Sequence, residues 1–233
     1  MKKLLLLLLT GCIFQINAQS DAKSLEIIQK SIEKSGGKEK LAAVKSMIRK
    51  MEVSLPFGTS ESETFYKNGK MYMKSTMQGN IVMEQKYDGT RAYMGGMQGN
   101  QVIDDEPTVK RFAEQAKIFP QLSIIEGQST LSYGGMSKIE GKDTHLILSK
   151  DKEGNEAKLY FNAESGLMTR MISTGEMQGT KVETIIDLKD YKAVDGILFA
   201  HVMSLNNGQF QMEMKITEIK LNPEIPDSTF FIN

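Results

Sequence analysis

The sequence predicts a mainly β fold, an antiparallel meander that forms one domain over residues 20–233. Apolar and polar residues alternate with a period of two along most of this stretch, as half-buried strands require. Turn signals rich in Gly, Asn and Asp recur about every ten residues, which is the spacing of antiparallel hairpins. No linker or change of composition divides the stretch, so we expect a single domain.

The N-terminus predicts export. Lys2 and Lys3 precede an apolar run over residues 4–14, and Ala18 offers the small residue at which a signal peptidase cuts. The run is too short to span a bilayer. We therefore expect residues 1–19 to be a cleaved signal peptide and the mature protein to be periplasmic.

A lipid anchor is an alternative for the same segment. Residues 9–12 have the form of a lipobox, in which Cys12 is lipidated and the protein becomes an outer-membrane lipoprotein. Against this alternative, apolar Ile13 and Phe14 follow the cysteine, where lipoproteins usually carry a polar tether. If the segment is cleaved after Ala18 or Gln19 instead, the mature chain has no Cys, which excludes disulfide and zinc–thiolate chemistry.

The first mature element is a predicted helix over residues 21–35. Its apolar positions recur at i, i+3 and i+7, namely Leu25, Ile28 and Ile32. Asp21 can cap its start, and Gly36 and Gly37 end it. The apolar residues around Leu41 predict a further short turn of helix.

Strands are predicted from Met47 onward. The apolar face of the first strand carries Met47, Met51, Val53 and Leu55. The other face carries Lys50, Glu52 and Ser54, as a half-buried strand requires. The longest clean alternation lies near the C-terminus, over residues 210–217. In total we expect about eleven strands.

One helix interrupts the meander over residues 106–119. Asp104 or Asp105 can cap its start, Pro107 suits its first turn, and Pro120 is expected to stop it. A single apolar stripe follows the helix and is formed by Val109, Phe112, Ala113, Ala116 and Phe119. Because this stripe must be buried, we expect the helix to lie across the mouth of a cavity enclosed by the sheet.

Charge and motifs argue against several functional classes. The chain has 29 Lys+Arg and 29 Asp+Glu, without the basic patch of a nucleic-acid binder. His145 and His201 lack the neighbouring groups in the sequence that would mark a catalytic base. Asp143 and His145 could offer metal ligands, but an Asp in a turn that is followed by a strand explains them better. No Gly-rich phosphate loop follows a strand and opens a helix, so the sequence does not support nucleotide binding. We therefore expect no enzymatic activity, no metal and no cofactor.

Methionine is the unusual feature of the composition. The chain has 16 Met, most of them at strand positions where β-branched residues are normally preferred. Methionine is flexible and polarisable, which suits a surface that accepts variable apolar partners. We expect two methionine walls, one of Met71, Met73, Met77 and Met83, and one of Met203, Met212 and Met214. Phe199 and Phe210 share faces with the second wall, because the turn over residues 206–208 makes their strands neighbours.

Several local sequences carry a resemblance to a known family. These are an Asp-Gly hairpin followed by an aromatic over residues 87–93, the sequences over residues 160–168 and 190–197, and the C-terminal stretch over residues 219–230. With the order of exported chain, early helix, meander, central helix and second meander, the chain resembles periplasmic lipoprotein carriers of the LolA/LolB type and the wider LolA-like group. The likeness covers most of residues 20–233.

The resemblance implies an unclosed antiparallel β-barrel around an apolar cavity, with helices as a lid. It implies a non-enzymatic, monomeric carrier that shields acyl chains of a lipoprotein or lipid for outer-membrane sorting. An accessory envelope module that docks on a partner protein such as a peptidase, without lipid cargo, is the alternative. The predicted cavity wall comprises Met71, Met73, Met77, Met83, Phe112, Phe199, Met203, Phe210, Met212 and Met214.

Overall fold

The computed structural model describes residues 20–56, 58–97, 99–177 and 180–232. The predicted signal peptide and Cys12 lie outside the described residues. The strands are β1 Ser46–Leu55, β2 Gly58–Lys67, β3 Lys70–Met77, β4 Asn80–Tyr87, β5 Ala92–Gly96, β6 Gln101–Ile103, β7 Ser129–Ile139, β8 Lys142–Asp151, β9 Glu156–Asn162, β10 Met168–Met177, β11 Thr180–Val194, β12 Ile197–Asn206 and β13 Gln211–Leu221. The helices are α1 Ala22–Lys34, α2 Lys38–Ala43, α3 Glu106–Gln115 and α4 Pro120–Ser123, with a π-helical turn at Ile124–Gln128 and a 3-10 turn at Asp227–Phe230.

All these strands belong to one antiparallel sheet of thirteen strands, in the order β6-β5-β4-β3-β2-β1-β13-β12-β11-β10-β9-β8-β7. The two halves of the meander meet in the middle, where β1 pairs with β13 and Met47 lies opposite Leu221. β6 and β7 are the two edges, so the sheet is not closed. The predicted mainly β, unclosed antiparallel architecture is therefore confirmed.

The strand number differs from the prediction of about eleven. Five residues in β5 and three in β6 are too few for an alternation of period two to stand out from its surroundings. These short strands form because β4 offers an unpaired edge, on which Tyr87 pairs with Ala92 and Ala92 in turn with Ile103. Their existence depends on the neighbouring strand rather than on their own sequence.

α1 begins at the predicted cap. The Asp21 carboxylate accepts hydrogen bonds from the Ser24 backbone N–H at 2.8 Å and from the Tyr133 backbone N–H of β7 at 2.6 Å. The cap thus also fastens the helix to the sheet. The buried side of α1 packs against strands β7 to β9 in one core cluster, whose central residues are Ile27, Ile28, Ile32, Leu131, Ile147 and Leu159.

α3 begins at Asp105, whose carboxylate accepts from the Thr108 backbone N–H at 3.0 Å. Phe112 and Ala116 are buried against strands of the other half of the sheet, in a second core cluster with Met47, Tyr66, Met71, Tyr87, Ala92 and Ile103. Each half of the sheet is therefore covered by its own helix. We call the face on which α1 and α3 pack the inner face.

The end of α3 corrects one prediction. The helix stops at Gln115 rather than at residue 119, and Pro120 begins α4 instead of ending α3. The residue before a proline avoids helical backbone, and Phe119 is accordingly extended, with φ −127° and ψ 81°. Proline suits the first position of a helix because its missing N–H would have no partner there.

Candidate ligand-binding cavity

An apolar cavity of about 330 Å³ lies on the inner face, between the two helix-covered halves. Its walls come from α1, from the segment Ile118–Ile124, and from strands β1 and β9 to β13. Most of the lining side chains are aliphatic, methionine or phenylalanine, including Ile28, Phe161 and Ile216. The volume is near the lower end of the roughly 300–1,000 Å³ of small-molecule sites.

An aromatic pair forms one side of the cavity. We call the segment Ile118–Ile124 the lid segment. Phe119 of the lid segment and Phe199 of β12 both line the cavity, and their ring centroids are 5.8 Å apart. Phe199 also packs against both core clusters. Phe119 is the extended residue before Pro120, at the break between α3 and α4.

Tyr191 is a polar residue in the cavity wall whose hydroxyl has a structural role. The Tyr191 hydroxyl donates to the Met168 carbonyl at 2.7 Å, which joins β11 to β10. Burial raises the pKa of Tyr191 to about 12. The phenol is therefore neutral at physiological pH and does not place a negative charge in the cavity.

Arg49 is the charged residue in the cavity wall. It lies on β1 at the inner-face position between Met47 and Met51. Its Nη2 donates to the Tyr66 hydroxyl at 2.8 Å, and its guanidinium carbon is 5.5 Å from the centroid of the Tyr66 ring. Its Nε is buried and has no hydrogen-bond partner. Among the described residues, no carboxylate forms an ion pair with this guanidinium.

The predicted wall residues are distributed over the inner face and its margins. Phe199 and Met203 line the cavity. Met71 and Phe112 are buried in the core cluster beneath α3. Met212 and Met214 are half-buried and share the inner face with Met203, because β12 and β13 pair Met203 with Met214 and Leu205 with Met212.

Four predicted wall residues lie away from the cavity. Met73 and Met77 are half-buried on β3, and Met83 and Phe210 are exposed at 38% and 40%. Met83 lies in the middle of β4, and Phe210 immediately precedes β13. Periodicity assigns a residue to a face but does not show how far along that face a helix extends.

Arg49 and the cavity residues that follow Phe119 were missed by the sequence analysis, whereas Phe119 belonged to the predicted apolar stripe. The sequence did contain a signal for Arg49. Arg49 lies two residues after Met47 and two before Met51, so it points to the apolar face of β1. A charged residue at such a position is unusual unless it has a role. Ile124 carried no usable signal, because it begins a single π-helical turn that is too short for a sequence period to stand out.

The two histidines form no catalytic constellation among the described residues. His145 Nδ1 lies 3.1 Å from the Tyr133 hydroxyl, and His201 Nδ1 donates to the Phe199 carbonyl at 3.0 Å. Burial lowers the pKa of His145, and the positive charges of Lys23 and Lys30 lower it further. Within the described ranges, no group of three or more His, Cys, Asp or Glu is placed to hold a metal ion. Nor does any helix in that part of the chain have the length and apolarity to cross a membrane.

Comparison with known proteins identifies the fold. No family model matches the sequence, and no curated protein matches it. A DUF1329 family protein from Desulfovibrio piger superposes with a TM-score of 0.61 at 10% identity, over 89% of this chain and 97% of that one. A LolA superfamily protein from Nitrosomonas europaea superposes with a TM-score of 0.61 at 10% identity, over 90% and 97%.

A third structure agrees with these two. A domain from Vibrio parahaemolyticus, named for outer membrane lipoprotein sorting, superposes with a TM-score of 0.58 at 14% identity, over 89% of this chain and 96% of that one. The predicted resemblance to the LolA-like group is therefore confirmed at the level of the fold. The three structures thus share one fold with this chain at 10–14% identity.

Proposed function

We propose that the protein is a non-enzymatic periplasmic carrier or binding protein, which shields an acyl chain of a lipid or lipoprotein in its cavity for outer-membrane sorting. The observation that carries this proposal is the apolar cavity of about 330 Å³ between two separately packed halves of one sheet. The name of the Vibrio relative and the predicted signal peptide support the envelope location and the sorting role.

Burial of apolar surface is sufficient to drive such binding. Each methylene transferred from water contributes about 0.8 kcal/mol, so ten buried methylenes contribute about 8 kcal/mol. The soft side chains Met168, Met171 and Met203 in the wall can adapt to chains of different shape. We infer that the lid segment, in which the helix is broken before Pro120, moves when a ligand enters.

A pair of tryptophan variants on β12 tests the proposal. Met203→Trp fills the cavity, whereas Val202→Trp alters the opposite face, where Val202 lies between Lys189 and Lys215 on the neighbouring strands. We expect the first variant to lose binding of a fluorescent fatty acyl probe and the second to retain it, with both variants folded by circular dichroism. Unchanged probe binding in Met203→Trp would contradict the cavity as the site.

Purification from the native host distinguishes the accessory-module alternative. A stoichiometric protein partner that copurifies with a protein free of lipid would favour docking on an envelope protein. Copurifying lipid without such a partner would favour the carrier.

A further inference from the structure

A strip of buried polar side chains crosses the inner face beside the cavity. Arg49 of β1 lies directly opposite Thr64 of β2, and Met51 lies opposite Ser62. Directly opposed residues of an antiparallel pair place their side chains on the same face of the sheet. Thr64 and Ser62 therefore share the inner face with Arg49, which lines the cavity.

Three polar atoms of this strip have no partner. Thr64 is 1% exposed and Ser62 is 4% exposed, and neither side-chain hydroxyl forms a hydrogen bond. Arg49 Nε is buried and equally unpartnered. Buried polar groups in proteins are almost always hydrogen-bonded, and one without a partner is destabilising. Three such atoms on two neighbouring strands indicate a position built for a polar ligand group.

The positive charge of the Arg49 guanidinium indicates that the polar group of the ligand is an anion. An arginine guanidinium is always protonated, and the hydrogen-bond partner of Arg49 among the described residues is the Tyr66 hydroxyl rather than a carboxylate. The nearest carboxylates along the strands belong to the outer face, where Glu63 pairs with Lys50 and Lys74. The positive charge of Arg49 on the inner face is thus not neutralised by any carboxylate of the described residues.

We propose that the ligand is an amphiphile with one acyl chain and an anionic headgroup, a carboxylate or a phosphate. The headgroup binds the Arg49 guanidinium and the Thr64 hydroxyl, and the chain extends along Phe199 and Met203. A guanidinium presents a planar fork of N–H donors that matches both anions. The cavity volume suits one chain better than the several chains of a lipoprotein.

This inference rests on the proposed function, because it requires that the cavity binds an acyl chain at all. The competing explanation is that Arg49 is structural and is held by the ring and hydroxyl of Tyr66. In that case its removal lowers stability without changing which ligands bind.

Three probes with the same hexadecyl skeleton separate these outcomes: palmitate, hexadecyl phosphate and hexadecanol. Their dissociation constants are measured by titration of the delipidated mature protein at pH 8. We expect the wild type to bind at least one anionic probe about tenfold or more tightly than the alcohol. The tighter anionic probe identifies the headgroup. Equal affinity for all three would overturn the inference while leaving the acyl-binding function intact, and the absence of binding by any probe would contradict the function itself.

Variants test which residue gives the protein its preference for anionic probes over hexadecanol. Arg49→Met should lower the ratio of anionic-probe affinity to hexadecanol affinity to about one, while Arg49→Lys should retain part of the preference. Arg111→Met is the matched control, because Arg111 is exposed on α3 and donates to Thr108. If Arg49→Met does not fold, Thr64→Val provides the test and should weaken anion binding alone. Retention of the full preference for the anionic probe in the folded variant would refute the inference.

Discussion

Phe119 and Phe199 are in contact at one side of the cavity, with their ring centroids 5.8 Å apart. One ring belongs to the segment that follows α3, and the other belongs to β12, which packs against both core clusters. The pair therefore links the lid segment to the wall of the cavity. Opening of the lid must separate these rings.

Phe119→Ala should loosen the lid. Removal of a buried phenylalanine side chain costs about 3–5 kcal/mol, and the half-buried Phe119 should cost about 1–2 kcal/mol. We expect faster release of an acyl probe, measured by stopped-flow fluorescence, because the closed state is weakened. Phe65→Ala is the control, since Phe65 is also half-buried and stacks on Tyr72 at 5.7 Å, but on the outer face. Equal release rates in the two variants would show that Phe119 does not gate the cavity.

Met212→Asp tests whether the inner face beyond the cavity contacts the ligand. Met212 is half-buried opposite Leu205. A charge there must be desolvated when a chain enters, at a cost of several kcal/mol, so acyl-probe affinity should fall about tenfold or more while the protein stays folded. The adjacent Gln211→Asp places the same charge at an exposed position and should have little effect. Unfolding of Met212→Asp would instead indicate a dry, filled core at this position.

Asp21→Ala should destabilise the protein by about 1–2 kcal/mol at pH 7, because α1 loses its cap. Burial raises the pKa of Asp21, but hydrogen bonds from Ser24 and Tyr133 outweigh it, so that the pKa lies below its usual value. A carboxyl whose pKa is lowered in the folded state stabilises the protein above its unfolded pKa, and this contribution is lost as the pH falls through the folded pKa. Urea unfolding of both proteins at pH 7 and pH 3 should show the difference shrinking at acid pH; a constant difference would rule out the charged cap as its source.

The N-terminus should be processed after Ala18 or Gln19. The intact mass of the protein from its native host is the measurement, and it should match a chain without residues 1–18 or 1–19. A mass that begins at Cys12 and includes acyl groups would instead show a membrane-anchored receptor, because two or more acyl chains suffice for stable anchoring.

The locally determined features of the fold could be predicted from the sequence. The start of α1 follows from the short-range hydrogen bond between Asp21 and Ser24, and the start of α3 follows in the same way from Asp105 and Thr108. The β12–β13 hairpin likewise follows from the turn over residues 206–208. Each depends on residues a few positions apart, so the signal lies within a short window.

The non-local features could not be predicted in this way. The pairing of Met47 with Leu221 joins the two ends of the chain, and no short window contains both residues. The cavity depends on that pairing, because it brings Arg49 of β1 beside Ile216 of β13 and the strands beyond it. Sequence periodicity assigned Met203 and Met83 to apolar faces alike, but only the helices that cover the sheet decide which one lines a cavity.

The most direct test of the central claim is native mass spectrometry of the wild-type protein extracted gently from the periplasm of its host. An acyl-chain carrier predicts a fraction of the protein with added mass equal to a lipid, which is released by organic solvent and is absent from Met203→Trp. A wild-type protein that carries no lipid, and whose delipidated form binds no acyl probe, would contradict the account.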